Sequence, residues 1–217
     1  MALAIFDLDH TLINGDSNQA WGALLGELKV DGCKDYLLKI EAFHRQYVDG
    51  ILDINEFLSF ALKPLRQNSI QQLIQWRELF MQQKIQPLML EKAQACINAH
   101  KKRGDFTLII TASNSFITAP IAQAFRVDDV LATEAEMING QFTGKHLGEA
   151  CFKAGKITKL DEWLTNNKHK MEGSYFYSDS INDLPLLEKV THPIVVDADD
   201  QLTAVAQQRN WQAISFL

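Results

Sequence analysis

Asp7 and Asp9 stand two residues apart where the first apolar run of the chain, Ala2 to Leu8, breaks off. A short apolar run ending in acids suits a buried parallel strand whose last residues emerge at the carboxyl edge of a sheet. Thr111 closes a second run, Phe106 to Thr111, and Asp179 with Asp183 follows a third, Tyr175-Phe176-Tyr177. In open α/β sheets, ligands bind outside the carboxyl ends of the strands. Four carboxylates and a hydroxyl are therefore expected on one rim, and the loop residue Lys156 can join them. So many acids repel one another and need a cation. An all-oxygen site with few dedicated ligands suits Mg²⁺, which keeps several waters and is completed by a substrate phosphate. The chemistry of such a rim is phosphoryl transfer. Asp7 attacks phosphorus, while the metal and Lys156 neutralise the phosphoryl oxygens. Asp9 protonates the leaving alkoxide and later deprotonates a water, and its loop carbonyl is within reach of the metal. Thr111 and the backbone N–H groups that follow it, at Ala112 and Ser113, are expected at a helix start that suits a phosphate oxygen.

Each residue alone has a plainer reading. Most DxD pairs are solvated loop acids or caps. Thr111 alone reads as a strand-end hydroxyl or a cap, Lys156 as a surface lysine, and Asp179 and Asp183 as caps for a helix at Leu184. An EF-hand reading of Asp7 to Thr11 fails, because Leu12 stands where Gly is needed and Asn18 where Glu is needed. What distinguishes the set is that all parts occur in one order, each near a strand end.

The elements that must hold these residues follow from periodicity. After the loop Asn14-Gly15-Asp16-Ser17, the chain to about Ile85 is helical in pattern without a strand signal. Ala20, Trp21, Leu24, Leu25 and Leu28 share one helical face, as do Tyr36, Leu37, Ile40, Phe43 and Tyr47. Asp53 with Glu56 reads as a capping box before Phe57, Leu58 and Ala61. Asn68 or Ser69 caps a fourth helix carrying Ile70, Leu73, Ile74, Arg77 and Phe80. After Pro87 helices and strands alternate. A helix over Leu88 to Arg103 stops at Gly104, a second runs from Phe116 to Phe125, and Val130 to Thr133 is a short strand. Asn139-Gly140 marks a type I′ hairpin. Helices at 156–166, 184–190 and 202–208 alternate with strands at 175–177 and 194–196. This alternation predicts a parallel α/β sheet with helices on both faces. It is expected to be built from 1–14 and 87–217, with 15–86 as a helical insert.

Bulk properties limit the partners. The 217 residues are 47% hydrophobic and 22% charged, ordinary for a globular chain, and the net charge of −6 argues against nucleic-acid binding. The one basic cluster, Lys101-Lys102-Arg103, reads as the last turn of a helix. The amino-terminal apolar run is broken by Asp7 and Asp9, so neither a signal peptide nor a membrane span is expected there. Cys33, Cys96 and Cys151 are odd in number and widely spaced, which suits reduced thiols and a cytoplasmic protein.

Taken together, DLDHT at 7–11, Thr111 in LIITAS, Lys156 and SDSINDLP at 178–185 resemble the four ordered motifs of the haloacid dehalogenase superfamily, in its phosphoserine-phosphatase-like branch. The resemblance covers essentially the whole chain. It implies a Rossmann-like core with a helical-bundle cap inserted after the first motif. It also implies a phosphatase that works through an aspartyl-phosphate on Asp7, with Mg²⁺ at Asp7, Asp9 and Asp179 and with Asp183 behind them. Ser178 departs from the usual Gly of the fourth motif and puts the local backbone in question.

The expected substrate is a small phosphomonoester. Asp16 lies where the phosphoserine phosphatases of this branch carry a Glu for the substrate amine; its alternative is a helix N-cap. The third helix of the insert has no Arg to hold a seryl carboxylate, although Arg45 and Arg66 flank it. The segment GDSNQAW at 15–21 resembles a bacterial group to which histidinol-phosphate phosphatase activity is assigned. That substrate carries an amine and an imidazole but no carboxylate. Trp21 offers a ring face to it or, alternatively, packs in the core. His10 reads as a loop residue near the phosphate. The rival classes are a phosphoserine phosphatase, a phospho-accepting receiver-type domain, whose acids occur in a different order, and an idle binding protein, which the intact acids disfavour.

Overall fold

In the computed structural model, residues 2–30 and 35–217 are described, so Cys33 lies outside the described residues. The strands are β1 (Leu3–Phe6), β2 (Phe106–Asn114), β3 (Asp129–Thr133), β4 (Ala135–Ile138), β5 (Gln141–His146), β6 (Tyr175–Ser178), β7 (His192–Val196) and β8 (Gln212–Ile214). Six of them form one sheet in the order β3-β2-β1-β6-β7-β8, with every neighbouring pair parallel. Their residues alternate between two cores, as the two-residue period of a strand requires. Ala4 and Phe6 of β1 face one core and Leu3 and Ile5 the other. A sheet buried on both faces explains why these strands read as continuous apolar runs.

The helices divide accordingly. Between β1 and β2 lie α1 (Ser17–Glu27), α2 (Tyr36–Val48), α3 (Ile54–Ala61), α4 (Lys63–Gln67) and α5 (Ile70–Phe80), with no strand among the described residues there. The helices α6 (Glu91–Lys102), α7 (Ser115–Phe125), α8 (Ala154–Asn167), α9 (Leu184–Leu187) and α10 (Asp200–Arg209) connect the later strands. Ile97, Ile117 and Phe125 pack on the Phe6 side; Leu160, Leu187 and Leu202 pack on the Ile5 side. Two segments link the helical stretch to the sheet and are laced together. Asn14 N–H donates to the Leu88 carbonyl (2.8 Å), and Leu90 N–H donates to that of Leu12 (3.2 Å).

Several local expectations need correction. Leu28 falls just beyond α1 and is exposed. The short helix α4, begun by Lys63-Pro64, makes the stretch five helices long among the described residues. The helix expected from Leu88 starts only at Glu91, after a wide π turn over Met81–Ile85 and a tight turn over Gln86–Leu88. The helix at Leu184 ends at Leu187, and the edge strand β8 carries no apolar run that would announce it. Other signals match the structure. Asp53 accepts the N–H groups of Asn55 and Glu56. Ser69 accepts that of Gln72. Asn139 and Gly140 both have positive φ (52° and 79°), as a type I′ turn requires.

Candidate active site

β1 is flanked by β2 on one side and β6 on the other, and the chain order reverses across it. The crevice at this switch point is where open sheets bind ligands. Asp7 is the first residue after β1, its N–H held by the Tyr177 carbonyl of β6 at 2.9 Å. Asp179 is the first residue after β6. The pairing of β1 with β6 brings Asp179 beside Asp7, and the turn over Ile181–Asp183 returns Asp183 to the same rim.

Lys156 sits in the first turn of α8, buried, with Nζ 2.7 Å from Asp7 Oδ1 and 2.8 Å from Asp183. The residue before it must be small. A Cβ on Gly155 would lie 2.0 Å from the Ala150 carbonyl oxygen, so only glycine lets α8 start this deep. Burial is the largest influence on Asp7. Against the attraction of Lys156 and with repulsion from Asp183, it raises the carboxyl to about 6. Asp179 is also raised, by burial first and then by Asp7, and is steadied by Thr11. The Thr11 hydroxyl donates to Asp179 Oδ1 (2.9 Å) and accepts the Asp179 N–H (3.1 Å).

Asp9 is held on both oxygens. Ser17 N–H reaches Oδ1 (2.6 Å) and the Ser113 hydroxyl reaches Oδ2 (2.8 Å). Burial, then the charges of Asp16 and Asp7, lift its carboxyl to about 7. An acid tuned near neutrality can both give and take a proton. Ser113 also accepts from Asn18 (2.7 Å), so this hydroxyl serves Asp9 and α1. Thr111 is buried on the cleft floor, but it does not end its strand. β2 continues to Asn114 through a break in its pairing with β3 between Ile110 and Asn114. The helix therefore starts at Ser115, not beside Thr111, and the Ser113 N–H is turned toward Thr111 Oγ1 (3.2 Å). Ala112 and Ser113 do line the cleft.

Asp16 caps α1, accepting the Gln19 N–H at 2.8 Å, and it also lines the cleft, 3.6 Å from His44 Nδ1. The structure shows the cap, and the same carboxylate faces the cleft. Trp21 does not reach the cleft. It is 2% exposed and packs edge-on against Phe80 and Phe116, because the stripe it shares with Leu24 and Leu25 faces the core. The opposite wall is apolar and comes from Ile40 and Phe43 of α2, Leu52, and Ile54 and Phe57 of α3, with Tyr47 beside them. Tyr47 also fastens α2 to the loop after β6. Its hydroxyl lies 3.0 Å from Ser180 Oγ, and its carbonyl accepts from Asn182 (2.9 Å).

Several contributors escaped the residue-by-residue reading. Thr11, inside the first motif, orients Asp179. Ser178 is an ordinary strand residue that needs no left-handed backbone, and its hydroxyl donates to Asp183 (2.8 Å). His44 interrupts the apolar stripe of α2, which was the available signal. Neither Arg45 nor Arg66 lines the cleft; Lys156 and the two histidines are its basic residues among those described.

Residues 4–188 match the haloacid dehalogenase-like hydrolase family. The chain belongs to that family. It is 37% identical to a histidinol-phosphatase of Neisseria meningitidis over 99% of this chain and 98% of that one. It is 26% identical to the phosphoserine phosphatase SerB1 of Mycobacterium tuberculosis over 99% of this chain and 71% of the relative. A Bordetella pertussis protein of unknown function superposes with a TM-score of 0.93 at 36% identity, covering 100% of this chain and 99% of the other. A substrate-bound phosphoserine phosphatase shares the fold, with a TM-score of 0.73 at 18% identity, covering 98% and 92%. With this family and these relatives, the chain is a phosphomonoester hydrolase. Among the described residues, no helix is long and apolar enough to cross a membrane.

Proposed function

We propose that this hydrolase cleaves a small phosphomonoester through an aspartyl-phosphate on Asp7, and that its substrate is an amine-bearing phosphate without a carboxylate, histidinol phosphate being the first choice. The observation that carries the chemistry is the buried Lys156 ammonium shared between Asp7 and Asp183 beside the twice-held Asp9. Lys156 on Oδ1 of Asp7 leaves Oδ2 for attack on phosphorus. The bond to the substrate alcohol breaks, and the alcohol oxygen takes its proton from Asp9. Asp9 then takes a proton from water, whose oxygen attacks the phosphoryl group and frees Asp7 and inorganic phosphate. The buried acids Asp7 and Asp183 and the half-buried Asp179 share a rim with one buried ammonium, and this oxygen-only donor set fits Mg²⁺. Asp7 and Asp179, with the Asp9 carbonyl, would hold the ion, and Asp183 would stand behind Lys156. When bound, the ion would neutralise phosphoryl oxygens.

Residues 15–86 would serve as a cap over the rim, the apolar wall from α2 and α3 receiving the leaving group. Two features support the substrate: the full-length similarity to a histidinol-phosphatase, and a cleft lining without arginine among the described residues. A seryl carboxylate would be enclosed there without a guanidinium partner. The test is turnover with Mg²⁺ of histidinol phosphate, phosphoserine and p-nitrophenyl phosphate. An unpaired buried charge costs about 3 kcal/mol or more, so histidinol phosphate should lead phosphoserine in kcat/KM by roughly a hundredfold. Equal efficiency on phosphoserine overturns the substrate assignment. Undiminished turnover by Asp7→Asn overturns the mechanism.

A further inference from the structure

We propose that His10, Asp16 and His44 form a second metal site, distinct from the Asp7–Asp179 rim, for a divalent transition ion of the Zn²⁺ class. One donor atom from each of the three lies within 4.8 Å of the other two. His44 Nδ1 is 3.6 Å from Asp16 Oδ2, and the two imidazole rings are 5.6 Å apart, centre to centre. With Zn–N and Zn–O bonds of about 2.1 Å, neighbouring ligands of a tetrahedral ion are separated by about 3.4 Å. The His44–Asp16 spacing is close to that and longer than a direct hydrogen bond, and His10 lies within the 4.8 Å reach of both.

The ligand chemistry selects the ion. Two imidazoles and one carboxylate suit zinc and its neighbours, whereas Mg²⁺ prefers oxygen alone. The carboxylate is already oriented, because Asp16 Oδ1 is bound to the Gln19 N–H and Oδ2 faces His44. His10 is presented from a left-handed backbone (φ 57°), its N–H held by the Gly15 carbonyl at 3.0 Å. The three donors come from the loop after β1, the start of α1, and α2. An ion there would clasp α2 to the nucleophile loop. All three residues line the cleft, so the fourth position of a three-ligand zinc would open into it.

The test needs no substrate and is independent of the substrate assignment. Protein stripped with chelator and reloaded with saturating Mg²⁺ is dialysed against Zn²⁺. Retention of one Zn²⁺ per chain is expected, together with a rise in Tm of roughly 5–10 °C at a hundredfold excess over Kd. His10→Ala and His44→Ala should each abolish both effects, while Asp179→Asn should keep them. No zinc retained by the Mg²⁺-loaded protein, or retention by the histidine variants equal to wild type, overturns the site. Should a variant fail to fold, X-ray absorption of the zinc-loaded native protein decides. Two imidazole nitrogens in the coordination shell support the proposal, and oxygen-only coordination defeats it.

Discussion

Replacing Lys156 with Met would keep most of the side-chain volume and remove the one ammonium that reaches both Asp7 and Asp183. In the folded protein that ammonium is 2% exposed, with carboxylate oxygens at 2.7 and 2.8 Å, and its partners are 7% and 2% exposed. Breaking a buried pair by deleting one partner typically costs about 3–5 kcal/mol, because the remaining charge stays buried and unpaired. For a chain of this size, each kcal/mol shifts Tm by about 2–4 °C, so a fall of roughly 6–20 °C is expected in chelator. Lys189→Met is the control. Its ammonium pairs with Asp161 at 2.6 Å, but both partners are substantially exposed, so a change of about 1 kcal/mol or less is expected. Calorimetry in EDTA measures both variants. Mg²⁺ should narrow the Lys156→Met deficit by screening the orphaned acids, and Asp183→Asn in the same chain should restore part of it, a coupling readable as a double-mutant cycle. If Lys156→Met melts within about a degree of the Lys189 control, the buried ammonium is not compensating those acids, and the electrostatic account of the rim fails.

Asp9→Asn should lower turnover by about 10²–10⁴-fold while the protein still reacts with beryllofluoride, checked by rapid-quench kinetics and ligand binding. Thr11→Val removes both bonds that orient Asp179, and the Mg²⁺ concentration for half-maximal activity should rise by roughly 10–100-fold, measured by titration. Trp21→Ala should cost about 3–5 kcal/mol of stability in denaturant melts and leave the ratio of kcat/KM for any two substrates unchanged, as a core residue would. His100 is buried between Asp105 and Tyr177, and burial holds its imidazole below the usual 6.5. The neutral form therefore supports the fold above pH 6.5, and that contribution is lost as pH falls through the depressed folded value. Tm scans from pH 7.5 to 5 should show this loss in the wild type and less of it in His100→Phe.

The sheet was legible because it is parallel and covered on both faces. Runs such as Leu108-Ile109-Ile110 can be nothing but buried, and their carboxyl ends locate the rim. β8 was not legible, since Gln212-Ala213-Ile214 sits at the sheet edge, where a strand needs little apolar surface. The apolar run stops at Thr111 and marks it as a strand end, yet the backbone keeps its extended path through the polar residues Ser113 and Asn114. Polarity at Ser113 reflects what it holds, since its hydroxyl anchors Asp9. A composition signal for a loop and one for a polar site inside a strand are the same signal.

Helical periodicity has the same ambiguity on the other side of the cleft. Trp21 and Phe43 each sit on an apolar helical stripe, and nothing in the spacing tells one that faces a core from one that faces a cavity. Trp21 meets Phe80 and Phe116 and does not reach the cleft, whereas Phe43 lines the cleft that holds the nucleophile. What separates the two stripes is the polar residue that interrupts the second. His44 lies one turn on from Ile40 and beside Phe43, on the face that periodicity assigns to the interior. A titratable ring placed there without a core partner marks a wall that must meet something polar. In this fold the polar group is Asp16, 3.6 Å away across the mouth of the cleft. Because α1's own cap supplies that carboxylate, a substrate ammonium that reached Asp16 in the metal-free cleft would compete with His44 for it. In zinc-free protein, Asp16→Ala should therefore lower the preference for amine-bearing over neutral esters and His44→Ala, which removes the competing imidazole, should raise it, both read as ratios of kcat/KM.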